Sequence, residues 1–225
     1  STYKHLSKLK CTFSAGPDGI PPIFYKKLDR CLTGPISKLN QLIFVSGALP
    51  AVWKTALVTP IFKKGRSSIV ANYRPISLTC VACKIFEQSL KTTILSYMLN
   101  SELLHPSQHG FISKHSTSTN LLEALNDWTI NIKNGNCTRV AFVDFSRAFD
   151  TVSHSKLLYK LSTYGIQGKL LSIVQSFLKD RSQKVFINNV SSDSQKVISG
   201  VPQGSVLGPL PVSYTHLRAH ETSQD

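Results

Sequence analysis

Acidic residues are scarce in this sequence, and long apolar runs are absent from it. The 225 residues include 12 Asp and Glu against 26 Lys and Arg. No apolar run approaches the roughly 20 residues that a helix needs to cross a bilayer. The N-terminus also lacks the charged and then apolar pattern of a secretory signal. These absences favour an intracellular globular chain, and a hydrophobic fraction of 41% is enough for the core of one or two domains.

The sequence also lacks the cysteine pattern of a disulfide framework. It has five cysteines, an odd number, so reduced thiols are expected in a chain without a secretory signal. Cys80 and Cys83 have the spacing of metal ligands, but no second pair of Cys or His follows at a finger-like distance. Packing of both thiols on a buried helix is therefore favoured over a zinc site.

The charge imbalance is the first positive indication of function. The formal net charge is +14 at pH 7. Such an excess attracts polyanions, and nucleic acid is the commonest large polyanion inside a cell. A basic surface that serves solubility, or one that binds an anionic membrane, would give the same net charge. The charge favours nucleic acid without excluding these two alternatives.

The spacing of apolar residues predicts a mixture of helices and strands, without the regular alternation of a doubly wound sheet. We predict one or two helices after residue 22 with an interruption near Gly34-Pro35, followed by a strand over 53–62 and a basic loop over 63–68. Helices are predicted over 84–99 and 120–133, and a buried strand over 140–145. The last elements are helices over 155–164 and 169–178, and strands over 184–187 and 195–198 around a turn that begins at Asn188-Asn189. Asn120, with Glu123 three residues later, could cap the helix over 120–133. The fold class is α/β in the broad sense (α+β).

An aspartate lies in the predicted buried strand. Asp144 follows Val140 to Val143, which are nearly all apolar, and an unpaired carboxylate buried there would cost several kcal/mol. An ion pair, or a cap at the strand end, would remove that cost. Ligation of a divalent cation would do so too, because hard cations prefer carboxylate oxygens. The residues alone leave these readings open. For Asp150 a turn or capping role is the default.

Five segments in a fixed order resemble the motifs of reverse transcriptases from non-LTR (LINE-type) retrotransposons. In chain order they are GPDGIP at 16–21, PIFKKG at 60–65 with NYRPISL at 72–78, QHGF at 108–111, FVDFSRAFDTVSH at 142–154, and SGVPQGSVLGPL at 199–210. The last two resemble motifs A and B of that family. The similarity is strongest to the jockey-like polymerases of animal mobile elements.

The resemblance implies an RNA-directed DNA polymerase with a right-hand fold. Residues 1–50 would form an N-terminal extension of the fingers, and residues 51–210 the fingers and part of the palm. The implied cofactor is Mg²⁺, two ions in a complete domain. The implied partners are an RNA template, a DNA primer and deoxynucleoside triphosphates, with no membrane. The element's ribonucleoprotein would occupy the nucleus and the cytoplasm.

The resemblance also assigns roles to residues of motif A. Asp144 would hold both Mg²⁺ ions, and the backbone carbonyl of Phe145 would add a ligand. Phe149 would lie beneath the sugar of the incoming nucleotide and exclude a 2′-hydroxyl as a steric gate. Without the motif, Phe149 would be read as ordinary core packing.

Four further residues match positions that contact the nucleotide. Lys63 and Arg74 match the fingers cations that meet the triphosphate, although the neighbouring Lys64 leaves the register of the first one open. Gln203 and Gly204 match the Pro-Gln-Gly loop that touches the new base pair and the template. Outside the motifs, the cations would be solvated side chains and the loop a common turn.

The sequence departs from the family after Leu210. There the family continues to a hairpin with Tyr-x-Asp-Asp, which this sequence does not contain. Residues 212–222, VSYTHLRAHET, instead match the in-frame translation of a transposase-type sequencing adapter. We therefore expect residues 211–225 to be an artefactual, disordered tail, and the chain as it stands to be inactive. Two alternatives remain: a catalytically dead nucleic-acid-binding remnant and a domesticated reverse-transcriptase-like protein.

Overall fold

The computed structural model describes residues 2–143 and 148–208. Within them the chain alternates irregularly between helices and strands, as the pattern predicts. The elements are α1 (Thr2–Ser7), α2 (Pro22–Lys27), α3 (Asp29–Ser46), a 3₁₀ turn (Ala51–Lys54), β1 (Thr55–Phe62), a second 3₁₀ turn (Val70–Asn72), β2 (Tyr73–Leu78), α4 (Val81–Asn100), α5 (Thr117–Lys133), α6 (His154–Thr163), α7 (Gly168–Leu178), β3 (Arg181–Ile187), β4 (Val190–Ser191) and β5 (Gln195–Val197). The fold is mixed α/β.

A mixed sheet carries the segments PIFKKG and NYRPISL. β1 and β2 form an antiparallel hairpin in which Leu57 pairs with Leu78 and Phe62 with Tyr73. β3 lies parallel to β1 on the other side, with Val58 opposite Val185. β4 and β5 then pair antiparallel with β3. The predicted turn at Asn188-Asn189 is confirmed, since both residues have positive φ, as a tight hairpin turn requires.

The core is centred on α4. Its buried residues recur every three or four positions and pack with residues from the flanking helices, including Leu6 of α1, Ile43 of α3 and Phe177 of α7. Cys80 and Cys83 are fully buried at the start of α4, which confirms the packing interpretation of this pair. Residues before and after position 51 therefore share one core.

The predicted interruption near Gly34-Pro35 is wrong. α3 continues through Pro35, and the break falls at Leu28, between α2 and α3. A proline in a helix removes one backbone hydrogen bond, and its ring also collides with the Cβ of the preceding residue. Gly34 has no Cβ, so part of that cost disappears. Burial of Ile36 and Ile43 on one face of the helix then favours its continuation.

The predicted cap of α5 is also wrong. The helix begins at Thr117, and Ser116 caps it by accepting a hydrogen bond from the backbone N–H of Thr119 at 3.1 Å. Thr119 completes a capping box, because its hydroxyl accepts from the N–H of Ser116 at 2.8 Å. Glu123 instead binds the ring of His109, with 2.5 Å between Oε2 and Nε2.

The predicted buried strand over 140–145 is wrong for the residues that are described. Residues 136–143 form no strand, and Phe142 and Val143 are exposed at 89% and 65%. An all-apolar strand is stable when neighbouring strands cover both of its edges. No strand among the described residues pairs with this segment.

No helix in the described part of the chain combines the length and the apolar character that crossing a bilayer requires.

Candidate nucleotide-binding site

The end of motif A and the start of motif B are joined by backbone hydrogen bonds. We name residues 148–153 the A turn and residues 199–208 the B loop. The N–H of Val201 donates to the carbonyl of Phe149 at 2.8 Å, and the N–H of Gly200 to that of Val152 at 2.9 Å. Nε2 of His154, at the start of α6, lies 2.7 Å from the carbonyl oxygen of Gly200 and donates to it. Two motifs about 50 residues apart thus form one junction.

The contact at Gly200 requires glycine. Its φ is +80°, and a Cβ there would lie 2.6 Å from the carbonyl oxygen of Asp150 and 2.7 Å from that of Phe149. Any side chain would therefore push the A turn and the B loop apart.

The middle of the B loop docks on strand β2. The N–H of Ser77 donates to the carbonyl of Gln203 at 2.6 Å. Gly204 has a φ of +109°, and a Cβ there would lie 2.8 Å from the carbonyl oxygen of Ser77. The Pro-Gln-Gly turn therefore fits closely against β2, the strand that also carries Arg74.

A cavity of about 310 Å³ lies where these segments meet. The sheet supplies one wall, through Val58 and Pro75, and the B loop supplies another, through Gln203. Asp150 and Lys196 add an acidic and a basic residue to the lining. Of the described residues that the motifs predict to contact the nucleotide, Gln203 lines the cavity.

The structure brings Phe149, Gln203 and Gly204 into one region. Phe149 is half-buried in the A turn and packs against the hydrophobic core. Gln203 is half-buried and Gly204 exposed. Asp150 is an exposed residue of the same turn, as predicted, while the cap of α6 is Ser153, whose hydroxyl accepts from the N–H of Lys156.

Lys63 and Arg74 lie at the far end of the β1–β2 hairpin. Arg74 pairs with Ile61, and the N–H of Lys63 donates to the carbonyl of Asn72 at 2.8 Å. Both side chains are exposed. No hydrogen bond within the described ranges joins either cation to the B loop. They form a basic end of the hairpin, separate from the junction of the A turn and the B loop.

Asp144 and Phe145 lie outside the described residues, as do residues 209–225. In the parts of the chain that are described, no group of three His, Cys, Asp or Glu side chains could hold a metal ion. The chemistry of the predicted donors still suits the expected metal, because carboxylate and carbonyl oxygens are the ligands that Mg²⁺ prefers.

Sequence reasoning missed Glu87, which holds the end of the B loop. Glu87 lies on the buried face of α4 and is 0% exposed. Its Oε2 accepts hydrogen bonds from the N–H groups of Val206 at 2.7 Å and Leu207 at 2.9 Å. The thiol of Cys83 donates to Oε1 at 3.3 Å. A single carboxylate from the core thus binds two successive backbone amides of the loop.

Burial raises the pKa of Glu87, because a desolvated carboxylate is less stable than its protonated form. The amides of Leu207 and Val206, the Cys83 thiol and the nearby Arg181 all act in the opposite direction. Arg181 is itself only 2% exposed, donates to the carbonyl of Phe177 at 3.0 Å, and packs over the ring of that residue. Burial lowers the pKa of Arg181, but the ordinary pKa of a guanidinium group is so high that the side chain stays charged.

One signal in the sequence could have identified Glu87. It is an acidic residue in the apolar series Cys83, Leu90, Ile94 and Met98, where each member recurs on one face of α4. A buried carboxylate in such a position needs hydrogen-bond donors, so the sequence could have predicted that Glu87 has a partner. It could not have identified that partner as a loop 120 residues away.

Comparison with known proteins agrees with the motifs. A family model described as reverse transcriptase (RNA-dependent DNA polymerase) matches residues 61–216. The RNA-directed DNA polymerase from mobile element jockey of Drosophila melanogaster is 34% identical over 185 residues, which are 80% of this chain and 20% of that protein. The probable RNA-directed DNA polymerase from transposon BS of the same fly is 32% identical over 190 residues, 78% of this chain and 20% of that protein.

A second jockey polymerase, from Drosophila funebris, is 30% identical over 206 residues, 91% of this chain and 22% of that protein. The chain spans about a fifth of the length of the curated relatives it matches. The family model covers well over half of the chain and includes both the A turn and the B loop. The chain belongs to the reverse transcriptase (RNA-dependent DNA polymerase) family.

Proposed function

We propose that this chain forms the fingers and part of the palm of an RNA-directed DNA polymerase of a non-LTR retrotransposon. The observation that carries the proposal is the junction of three motifs. The B loop is hydrogen-bonded to the A turn through Val201 and Phe149, and to the fingers strand β2 through Gln203 and Ser77. A polymerase needs its nucleotide-selecting loop fixed relative to the segment that binds the metals, and this junction fixes the B loop against the turn that follows that segment in sequence.

In this proposal the B loop and the A turn together recognise the incoming deoxynucleotide. Gln203 and Gly204 contact the new base pair, and the close fit of Gly204 on β2 fixes their position. Phe149 lies beneath the sugar, where its ring leaves no room for a 2′-hydroxyl. Packing of that ring against the core gives it little freedom to move aside.

The cations at the end of the hairpin bind the triphosphate. Arg74 suits a planar, multidentate contact with phosphate oxygens, and Lys63 acts as a point charge. Both are exposed, so a nucleotide can reach them.

Asp144 and the carbonyl of Phe145 are the proposed ligands for Mg²⁺. When bound, the ions stabilise the attacking 3′-oxygen of the primer and the leaving pyrophosphate oxygen. The substrates are a DNA primer on an RNA template and deoxynucleoside triphosphates.

Primer extension on an RNA template tests the proposal, in a full-length polymerase that contains this segment. Asp144→Asn should reduce incorporation by several orders of magnitude, because the amide keeps the shape of the side chain but removes the charge that holds the metals. Asp150→Asn is the matched control, since Asp150 is an exposed turn residue on the same segment, and it should stay close to wild type. Near-normal activity of Asp144→Asn, with loss in Asp150→Asn, would refute the assignment.

The same assay tests the steric gate. Phe149→Ala should retain much of the deoxynucleotide incorporation and admit ribonucleotides, because it opens space beneath the sugar without removing a metal ligand. Phe149→Leu keeps most of the bulk and serves as the control for lost packing. If both variants discriminated between the two sugars as well as wild type does, Phe149 would be a core residue only.

A further inference from the structure

Beyond its hydrogen bonds to the A turn and to His154, the B loop is held at two further points of different kinds. Near its middle, the carbonyl of Gln203 accepts from the N–H of Ser77 on β2. Near its end, the N–H groups of Val206 and Leu207 bind Oε2 of Glu87. Between these points the loop is braced by the Ser205 hydroxyl, which donates to the carbonyl of Pro202 and accepts from the N–H of Gly208.

The second attachment depends on one side chain. Gly200 and Gln203 each make a backbone–backbone hydrogen bond, which a side-chain substitution elsewhere does not remove. The amides of Val206 and Leu207 are bound by the carboxylate of Glu87. The Leu207 bond is buried, so its N–H would gain no water on losing the carboxylate, and the loop end would have to move to satisfy it.

We propose that Glu87 is a positioning residue for nucleotide incorporation, which fixes the B loop from the core so that Gln203 and Gly204 stay in place against β2. The inference rests on the polymerase function proposed above. Glu87 does not touch the nucleotide. It acts through the backbone of Val206 and Leu207, two residues beyond the predicted contact at Gly204. Its own position is fixed by α4, the central helix of the core.

Two substitutions of Glu87 distinguish the effect of its hydrogen bonds from the effect of its side-chain volume. Glu87→Leu fills a similar space and cannot accept a hydrogen bond. Glu87→Gln keeps one carbonyl oxygen for the two amides, and its NH₂ group then faces the Sγ of Cys83. The Leu variant should therefore release the loop, and the Gln variant should retain it. Met98→Ala is the control for lost core packing, because Met98 is fully buried on the same helix but lies about three turns away.

Amide hydrogen exchange on the 225-residue chain measures the loop directly. The amides of Val206 and Leu207 should be protected in the wild type and in Glu87→Gln, and should exchange faster in Glu87→Leu. Met98→Ala should speed exchange across the core without singling out these two amides. Equal protection of Val206 and Leu207 in the wild type and in Glu87→Leu would overturn the proposal.

Steady-state primer extension in the full-length polymerase measures the consequence. Glu87→Leu should raise the KM for deoxynucleotide by about tenfold with a smaller change in kcat, because a displaced loop weakens nucleotide binding before chemistry. Glu87→Gln should stay within about twofold of wild type, and so should Met98→Ala at temperatures below its melting point. A Leu variant whose KM matched that of Met98→Ala would refute the inference, as would a Gln variant as impaired as the Leu variant.

Glu87→Asp is the variant to measure if Glu87→Leu does not fold. Its carboxylate is withdrawn by one methylene from the amides of Val206 and Leu207, so protection should fall and KM should rise in a folded protein. Wild-type values for both would contradict the proposal. If Asp144→Asn remained active, the proposed polymerase function would be refuted. The hydrogen-exchange result would still show whether Glu87 holds the B loop.

Discussion

Gly200 and Gly19 have similar positive φ angles in very different surroundings. Their φ values are +80° and +71°, but nothing lies within 4 Å of a Cβ built on Gly19, whereas one on Gly200 would overlap two carbonyl oxygens of the A turn. Gly19→Ala should cost only the backbone strain, about 1 kcal/mol of unfolding free energy. Gly200→Ala should cost about 2 kcal/mol or more, because the steric overlap adds to the strain.

Denaturant unfolding of the two variants checks this difference, with the midpoint and the slope both recorded. A lower midpoint at constant slope would show a loss of stability without a change in the denatured state. If Gly200→Ala were no less stable than Gly19→Ala, the close approach of the A turn and the B loop would be disproved.

At this scale the sequence points to residues that we propose contact the nucleotide, but not to the groups that hold them in position. Phe149, Gln203 and Gly204 could be identified because their motifs are contiguous in the chain. The role of Glu87 could not, because its partners are backbone amides 120 residues away, and backbone groups leave no trace in residue identity.

Among the helices, α5 depends most on local interactions. None of its residues is buried, so its stability comes from its cap and its own hydrogen bonds rather than from core packing. Ser116→Ala should therefore destabilise the helix by about 1 kcal/mol. Asn120→Ala is the matched control, since Asn120 lies within the first turns of the helix and alanine is the better helix former there.

Hydrogen exchange of the amides over 117–133 reports this change. Faster exchange confined to α5 in Ser116→Ala, with unchanged or slower exchange in Asn120→Ala, is expected. The reverse order would restore Asn120 as the cap.

Elements with a strong local pattern were predicted well, and those that depend on distant partners were not. The apolar stripe of α4 and the Asn-Asn turn before β4 are local signals, and both are confirmed. Continuation of α3 through Pro35 depends on burial of Ile36 and Ile43 against other helices. The segment 140–143 has the composition of a strand, but composition does not supply the neighbouring strands that a sheet requires.

For the whole molecule, the net charge of +14 predicts nucleic-acid binding that weakens steeply with salt. The chain should bind duplex and single-stranded nucleic acid weakly and with little sequence preference. About four phosphate contacts would reduce the affinity about a hundredfold between 50 and 200 mM salt, because released counterions drive the association. Fluorescence anisotropy with a labelled oligonucleotide measures the slope.

The exposed basic loop after β1 offers a matched variant. Replacing Lys63, Lys64 and Arg66 together with glutamine should flatten the salt dependence without loss of stability, since all three side chains are exposed. Affinity that did not change with salt in the wild type would contradict the electrostatic account.

Because β1 pairs in parallel with β3, which comes much later in the chain, one edge of β1 stays unpaired for a long time during synthesis on the ribosome. Val58 of β1 pairs with Val185, and every residue between them must be made before that edge of β1 is covered. At about 5–20 residues per second, the hairpin of β1 and β2 is complete roughly 5–22 s before its third strand. During that interval β1 presents an unpaired edge with apolar neighbours, which is the kind of surface that chaperones bind and that aggregates when they are scarce.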